Sequence, residues 1–348
     1  MNVYIGLDVS LASTAVCVLN EKGKVLREAT VDSDPDALNR FFEDLPYVII
    51  CVGLEAGPQS QWLYKGMTDA GVPTVLMETR QVKGFLKTIP IKTDRRDALG
   101  IARLLQAGWA TAVHCKSVPA QETRALLTGR KAVQKVIIDL ELSLRGVLRN
   151  FGLKMGPVAK SRYDERVREL AVGNKMLMAT AEPILRALAA LRKELDLMEK
   201  QVRSMARSNS VCRLLMTMPG VGPIVALTFA AAIDDPTRFR KSRDVGPWAG
   251  LIPSREESGE RKVVGSITKA GDAGARAALY QAANAMLNRG GENWLKTWAQ
   301  QLAEKCGNRK KTKVALARRI GVVLHRMWID GTEFRFTREE AMGLREAV

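Results

Sequence analysis

The chain has 348 residues, 46% of them apolar, which is material for two or three domains with real cores. Lys and Arg number 54 against 37 Asp and Glu, a formal net charge of +17. No run of about 18 uncharged apolar residues occurs, so no membrane span is expected; the start, residues 1–10, lacks the basic and apolar regions of a secretion signal, so a cytoplasmic location is expected.

Cys17, Cys51, Cys115, Cys212 and Cys306 lie far apart, odd in number and without a CxxC pair. That pattern disfavours zinc and disulfide frameworks and fits small buried thiols in a reducing compartment. The charge is uneven. Residues 1–115 carry 12 Lys/Arg and 13 Asp/Glu, whereas the rest carries 42 and 24. A nearly neutral front and a strongly basic back point to a polyanion, nucleic acid above all, lying along the back.

In chain order, Val3–Asp8, Thr14–Leu19 and Val25–Val31 read as three antiparallel strands, with a turn at residues 21–24. Asp34 and Pro35 open a helix reaching to about Leu45. Val48–Leu54 is a buried strand, Gln59–Ala70 a helix closed by Gly71, Val72–Met77 a strand and Asp97–Ala107 an amphipathic helix. Three antiparallel strands followed by alternating helices and strands is the order of an RNase H-like α/β fold. From Pro119 to Ser208 two apolar stripes recur at helical spacing. One runs through Val133, Val136, Ile137, Leu140, Leu144, Val147 and Leu148. The other runs through Leu185, Leu188, Leu191, Leu195, Met198 and Val202. Two long helices are expected, as a coiled coil between copies or as a hairpin within one chain. Beyond Val211 a compact all-α domain with glycine-rich joints is expected. The boundaries are 1–115, 116–210 and 211–348.

Asp8 ends the first strand and Glu55 follows the fourth. Asp94 and Asp97, three apart at the start of a helix, share a face. Each alone is an ordinary cap or turn residue. Together, on these elements, they form a set of hard oxygen donors suited to Mg²⁺, two ions in all, with Mn²⁺ an alternative. Two such ions clamp the attacking and leaving oxygens of a phosphoryl transfer. Arg95 and Arg96 between the acids are phosphate-contact candidates or a solvated face.

Pro219-Gly220-Val221-Gly222 before an apolar helix is like a helix-hairpin-helix turn, where Gly220 and Gly222 could let backbone N–H groups hold a phosphate. A ligand-free helix joint remains equally open. Ser258, beside Gly259 in a polar segment, is by spacing alone a turn residue. Neither His114 nor His325 stands in a triad pattern. Lys269 lies in a Lys-Ala-Gly turn. The run Arg309-Lys310-Lys311-Thr312-Lys313 opens a helix ending near Trp328 and is either a nucleic-acid contact or a solvated face.

These residues resemble a known family. Asp8, Glu55 and the Asp94–Asp97 cluster match the four-acid pattern of IS110-type transposases. Pro219–Gly222, Ala249–Pro253, Ser258-Gly259 and Lys269–Gly271 match that family's C-terminal domain. The likeness covers nearly the whole chain and is least specific from about 120 to 210. Charged Glu260, Arg261 and Lys262 stand where the family pattern is small or polar. The resemblance implies a RuvC-like front domain, a coiled coil and a C-terminal domain whose catalytic serine is Ser258. It implies a DNA recombinase in which the serine attacks a DNA phosphate, assisted by carboxylate-bound Mg²⁺, in a composite site within a homo-oligomer, a dimer or tetramer. It also implies a structured guide RNA as partner beside donor and target DNA. Three other readings compete. A structure-specific metal endonuclease would use the same acids with water as nucleophile. A sugar-kinase or actin-like ATPase is weakened by the charge and the lack of a second phosphate loop. A non-catalytic nucleic-acid binder would need none of the acids.

Overall fold

The computed structural model describes residues 1–89, 91–289, 291–337 and 339–340. The chain divides into two compact units, one covering Met1–Lys116 and the other beginning at Ser117.

The first unit is built on strands β1 (Asn2–Val9), β2 (Ser13–Asn20), β3 (Val25–Asp32), β4 (Val48–Glu55) and β5 (Thr74–Met77), with helices α1 (Pro35–Glu43), α2 (Ser60–Asp69), α3 (Thr79–Leu86) and α4 (Asp94–Gln106). The strands form one sheet in the order β3-β2-β1-β4-β5. β1–β2 and β2–β3 are antiparallel, β1–β4 and β4–β5 parallel. Successive side chains of β1 point to opposite faces. Val3, Ile5 and Leu7 enter a core with Leu38, Phe41 and Phe42 of α1 and with Leu63 and Met67 of α2. Tyr4 of the same strand packs with α3 and α4 on the other face. Asp34 caps α1, its carboxylate accepting from the N–H groups of Asp36 and Ala37.

The expected strands and helices of this unit are present, with two differences. α4 begins at Asp94, not Asp97, because Thr93 is its cap and accepts from the Arg96 N–H; Asp94 is therefore the first helical residue rather than the cap. Helix α3 was not expected, being only eight residues with one buried side chain, Val82.

The second unit begins with α5 (Val118–Asn150), α6 (Tyr163–Ala171) and α7 (Lys175–Ser208). α5 and α7 run antiparallel within the chain. Arg130 pairs with Glu199 at 2.6 Å, and Arg192 pairs with Glu141 at 2.9 Å and with Asp164 of α6 at 2.7 Å. Ile137, Leu144, Leu148, Leu185 and Leu188 of the two stripes are buried in their shared core. Val136 is 45% exposed and stands off the buried stripe. The remainder comprises α8 (Ser210–Leu215), α9 (Pro223–Ile233), the short α10 (Val245–Trp248), β6 (Pro253–Ser258), β7 (Arg261–Ile267), α11 (Ala273–Arg289), α12 (Trp294–Cys306) and α13 (Arg309–Asp330). One core of side chains from α8, α9, α11, α12 and α13 holds it together, with Phe229, Leu279, Ile320 and Leu324 fully buried.

The expectation of an all-α C-terminal domain is corrected. β6 and β7 form an antiparallel two-stranded sheet. Nearly all of its residues are exposed, so it buries no apolar face and gave no alternating hydrophobic signal. Gly259, at φ +55°, supplies the left-handed turn that the two-residue connection Gly259-Glu260 needs.

Candidate active site and nucleic-acid contacts

Gly6 and Gly53 are register partners on the adjacent parallel strands β1 and β4. A Cβ at Gly6 would fall on the backbone of Ala98 and Ala102 in α4, and one at Gly53 on the Leu105 side chain. The two glycines therefore make a bare track on which α4 lies against the sheet. That track fixes the geometry of the acids. Asp8, two residues beyond Gly6, and Glu55, two beyond Gly53, project from the face that α4 covers. The first turn of α4 brings Asp94 and Asp97 to the same end of the strands.

The electrostatics record this convergence. Burial pushes the Asp8 carboxyl up to about 6, and the neighbouring Asp97, Asp94 and Glu55 push in the same direction, with Lys92 opposing. Asp97 is buried, 5% exposed, and its Oδ1 meets no hydrogen-bond donor among the described residues. A buried carboxylate oxygen without a donor is costly unless a cation completes it. Lys83 of α3 approaches Glu55 at 3.6 Å. As the side chains stand, no three His, Cys, Asp or Glu residues among those described are drawn together tightly enough to enclose a metal ion. The donor chemistry and the orphaned Asp97 oxygen nonetheless fit a hard divalent cation.

Lys83 and Lys92 were not among the candidates read from the sequence. Lys92 could have been found by its place in Lys92-Thr93-Asp94, whereas Lys83 rides on the unexpected α3. Arg95 is paired with Glu28 of β3, and Arg96 reaches the Ile91 carbonyl at 3.5 Å.

Ser258 lies in the second unit, as the last residue of β6, paired with Arg261 across the turn and exposed. At the root of the hairpin the backbones touch. A Cβ on Gly250 would fall on Ala270, and one on Gly271 on Trp248. The Arg276 guanidinium donates to the carbonyls of Ala249 at 2.9 Å and Ala270 at 3.2 Å, joining both sides of the root. Lys269 sits there at φ +54°, its N–H donating to Gly250 O at 3.2 Å.

Gly220, at φ +86°, presses on α11, where a Cβ would stand 2.6 Å from Ala282 O. Close packing accounts for this glycine. Gly222 precedes α9 as its cap and faces open space. Arg309, Lys310 and Lys311 are exposed on the first turn of α13, where the Asn308 side chain accepts from the N–H groups of Lys310 and Lys311. Lys313 donates to Asn284 at 2.6 Å. No helix among the described residues is long and apolar enough to cross a membrane.

A mixed α/β first unit with acids at the ends of its central strands, followed by a mostly helical remainder, is consistent with a DEDD (RNase H-like) transposase domain, the domain of a DNA-processing enzyme. A DEDD-type IS110 transposase model matches residues 5–152, and a model of the transposase IS116/IS110/IS902 family matches residues 212–299. The transposase for insertion sequence element IS1111A of Coxiella burnetii is 29% identical over 321 residues, 90% of this chain and 86% of that protein. The transposase for insertion sequence element IS1328 of Yersinia enterocolitica is 23% identical, over 72% of this chain and 75% of its own. The chain belongs to the IS110/IS1111/IS116 family of insertion-sequence transposases. Transposases act on DNA, and the DEDD domain suggests dependence on a divalent metal.

Proposed function

We propose that this transposase cleaves and rejoins DNA through attack of the Ser258 hydroxyl on a DNA phosphate. The Oγ–P bond forms as a P–O bond of the strand breaks, and the departing DNA oxygen leaves as a hydroxyl. In rejoining, a DNA hydroxyl displaces Ser258 from the phosphate. Asp8, Glu55, Asp94 and Asp97 would hold divalent cations, Mg²⁺ by donor type, which supply Lewis-acid stabilisation of phosphate charge. The single observation that carries the acid site is the buried Asp97 carboxylate, whose Oδ1 has no hydrogen-bond partner among the described residues, beside an Asp8 held up first by burial and then by Asp97, Asp94 and Glu55. The serine assignment rests on the family motif together with the place of Ser258 on a rooted, exposed hairpin, where a DNA strand can reach it. A serine hydroxyl is a weak nucleophile without help, and no hydrogen-bonding base stands beside Ser258 among the described residues.

The basic second unit suits a structured RNA guide recognised through shape and phosphates, with Lys269 and the Arg309–Lys313 run as contacts and Gly222 presenting the start of α9. Assembly as a homo-oligomer belongs to the same reading. The test is recombination in cells carrying the protein, its flanking DNA and a target, with Ser258→Ala and Asp94→Ala compared at equal protein level. Loss in both, with a DNA-linked protein band seen only for chains that keep Ser258, supports the reading. Undiminished recombination by Ser258→Ala overturns the serine and leaves the acids acting on water or a DNA hydroxyl.

A further inference from the structure

A cleft of about 730 Å³ opens in the second unit between the Phe239–Arg243 segment, α13 and the stretch from Thr332 to Arg335. Six cations line it: Arg240, Lys241, Arg243, Arg319, Arg326 and Arg335. Only Asp330 and Glu333 oppose them in the lining, and Asp330 is engaged by Arg326 at 2.6 Å. Six positive groups around one concavity repel each other, an arrangement that costs stability unless a polyanion occupies it.

The cleft is built, not accidental. His325 of α13 is buried, with one ring nitrogen at 2.9 Å from Ser242 Oγ and the other at 2.9 Å from Pro236 O. It thereby fastens to α13 the segment that carries Arg240, Lys241 and Arg243. The guanidinium of Arg319 lies over Trp298, 4.1 Å from the ring centre, which holds it in place at low entropic cost. The side chains of Arg240, Lys241 and Arg243 are exposed and make no hydrogen bond or ion pair among the described residues.

We propose that this cleft, whose lining includes none of the four acids and not Ser258, binds the phosphodiester backbone of a single-stranded nucleic-acid segment. A volume of 730 Å³ equals a cube about 9 Å on a side, and a positively charged groove of that scale tracks the backbone of a single strand. Recognition is through phosphates and carries no sequence preference.

The inference rests on the reading that the chain handles nucleic acid. The test measures binding of the full chain to a fluorescein-labelled oligouridine and to a labelled DNA duplex as salt is raised. Wild type is compared with Arg240→Ala/Lys241→Ala/Arg243→Ala and, against misfolding, with Lys241→Gln alone. For the single strand, the triple variant should flatten the slope of log K on log salt by about 2, at ~0.7 for each phosphate no longer neutralised, and Lys241→Gln by about 0.7. The duplex slope should stay unchanged. An unchanged single-strand slope, with wild type binding well, overturns the cleft alone. Equal flattening on both probes also overturns it, since the cations are then a general basic surface. Failure of wild type to bind either probe overturns the nucleic-acid reading along with it.

Discussion

The Asp97 carboxylate is buried and its Oδ1 finds no donor among the described residues, beside an Asp8 whose pKa is pushed up to about 6 by burial first and by the neighbouring acids second. A cation would relieve both the burial cost and the repulsion. Asp97→Asn, which removes one of the charges facing Asp8, should therefore stabilise the fold without divalent ions. It should also lose the further stabilisation that Mg²⁺ gives the wild type; a melting scan with and without Mg²⁺ measures both. Gly6 is the complementary case. A methyl there meets the backbone of α4 rather than a pliable side chain, so Gly6→Ala should cost about 1–3 kcal/mol by overpacking, read by denaturant unfolding. The nearness of the acids was legible in the sequence because Asp8 and Glu55 stand at strand ends and Asp94 and Asp97 share the first turn of one helix. The glycine track was not, because its meaning depends on which helix crosses the sheet. The same holds for Gly220, where sequence left phosphate binding and packing open and the close approach to α11 accounts for the residue by packing.

At the level of elements, α13 opens on three exposed cations with no acid in its first turn. Positive charge there opposes the helix dipole. Lys310→Glu and Lys311→Glu should each stabilise the helix by about 0.3–1 kcal/mol while weakening nucleic-acid binding. Melting scans and binding isotherms moving in opposite directions would establish that the run is kept for a ligand. The long helices α5 and α7 were legible because their stripes span many turns. Whether the stripes met within one chain was not, since an apolar stripe does not name its partner; Arg130–Glu199 and Arg192–Glu141 fix the antiparallel pairing. α3 and α6 escaped because eight or nine residues give too few repeats of the helical period.

On the scale of the molecule, charge is segregated: a net +18 lies beyond residue 115 and a net −1 before it. Binding should fall steeply with salt and little with changes confined to the first unit. The second unit also carries an acid-sensitive point. Burial holds the His325 pKa below its ordinary value of 6.5, helped by Arg238 and Arg326 and opposed by the hydrogen bond to Pro236. The unfolded chain thus takes up this proton first. The stabilisation is fully present above pH 6.5 and is lost as pH falls from there toward the depressed folded value. His325→Gln should flatten that part of the pH–stability curve, measured by calorimetry between neutral and mildly acid buffers. The basic bias of this unit was visible in composition, but its concentration around a cleft was not, because Arg240, Arg319 and Arg335 are remote in sequence.

The strand that ends at Ser258 is anchored by backbone packing at the root of its hairpin and exposed from Arg255 onward, and this makes its length a discrete quantity. Side chains alternate sides every residue. Adding or removing one residue between Arg255 and Ser258, where the pairing with β7 is regular, would turn the hydroxyl to the opposite side, even though no buried group is disturbed. Changes in steps of two, matched in β7 so that the pairing is kept, would restore its aim while altering its reach by about 7 Å. Natural variation in this segment is therefore expected to come in even increments, and an odd one to yield a stable but inactive protein.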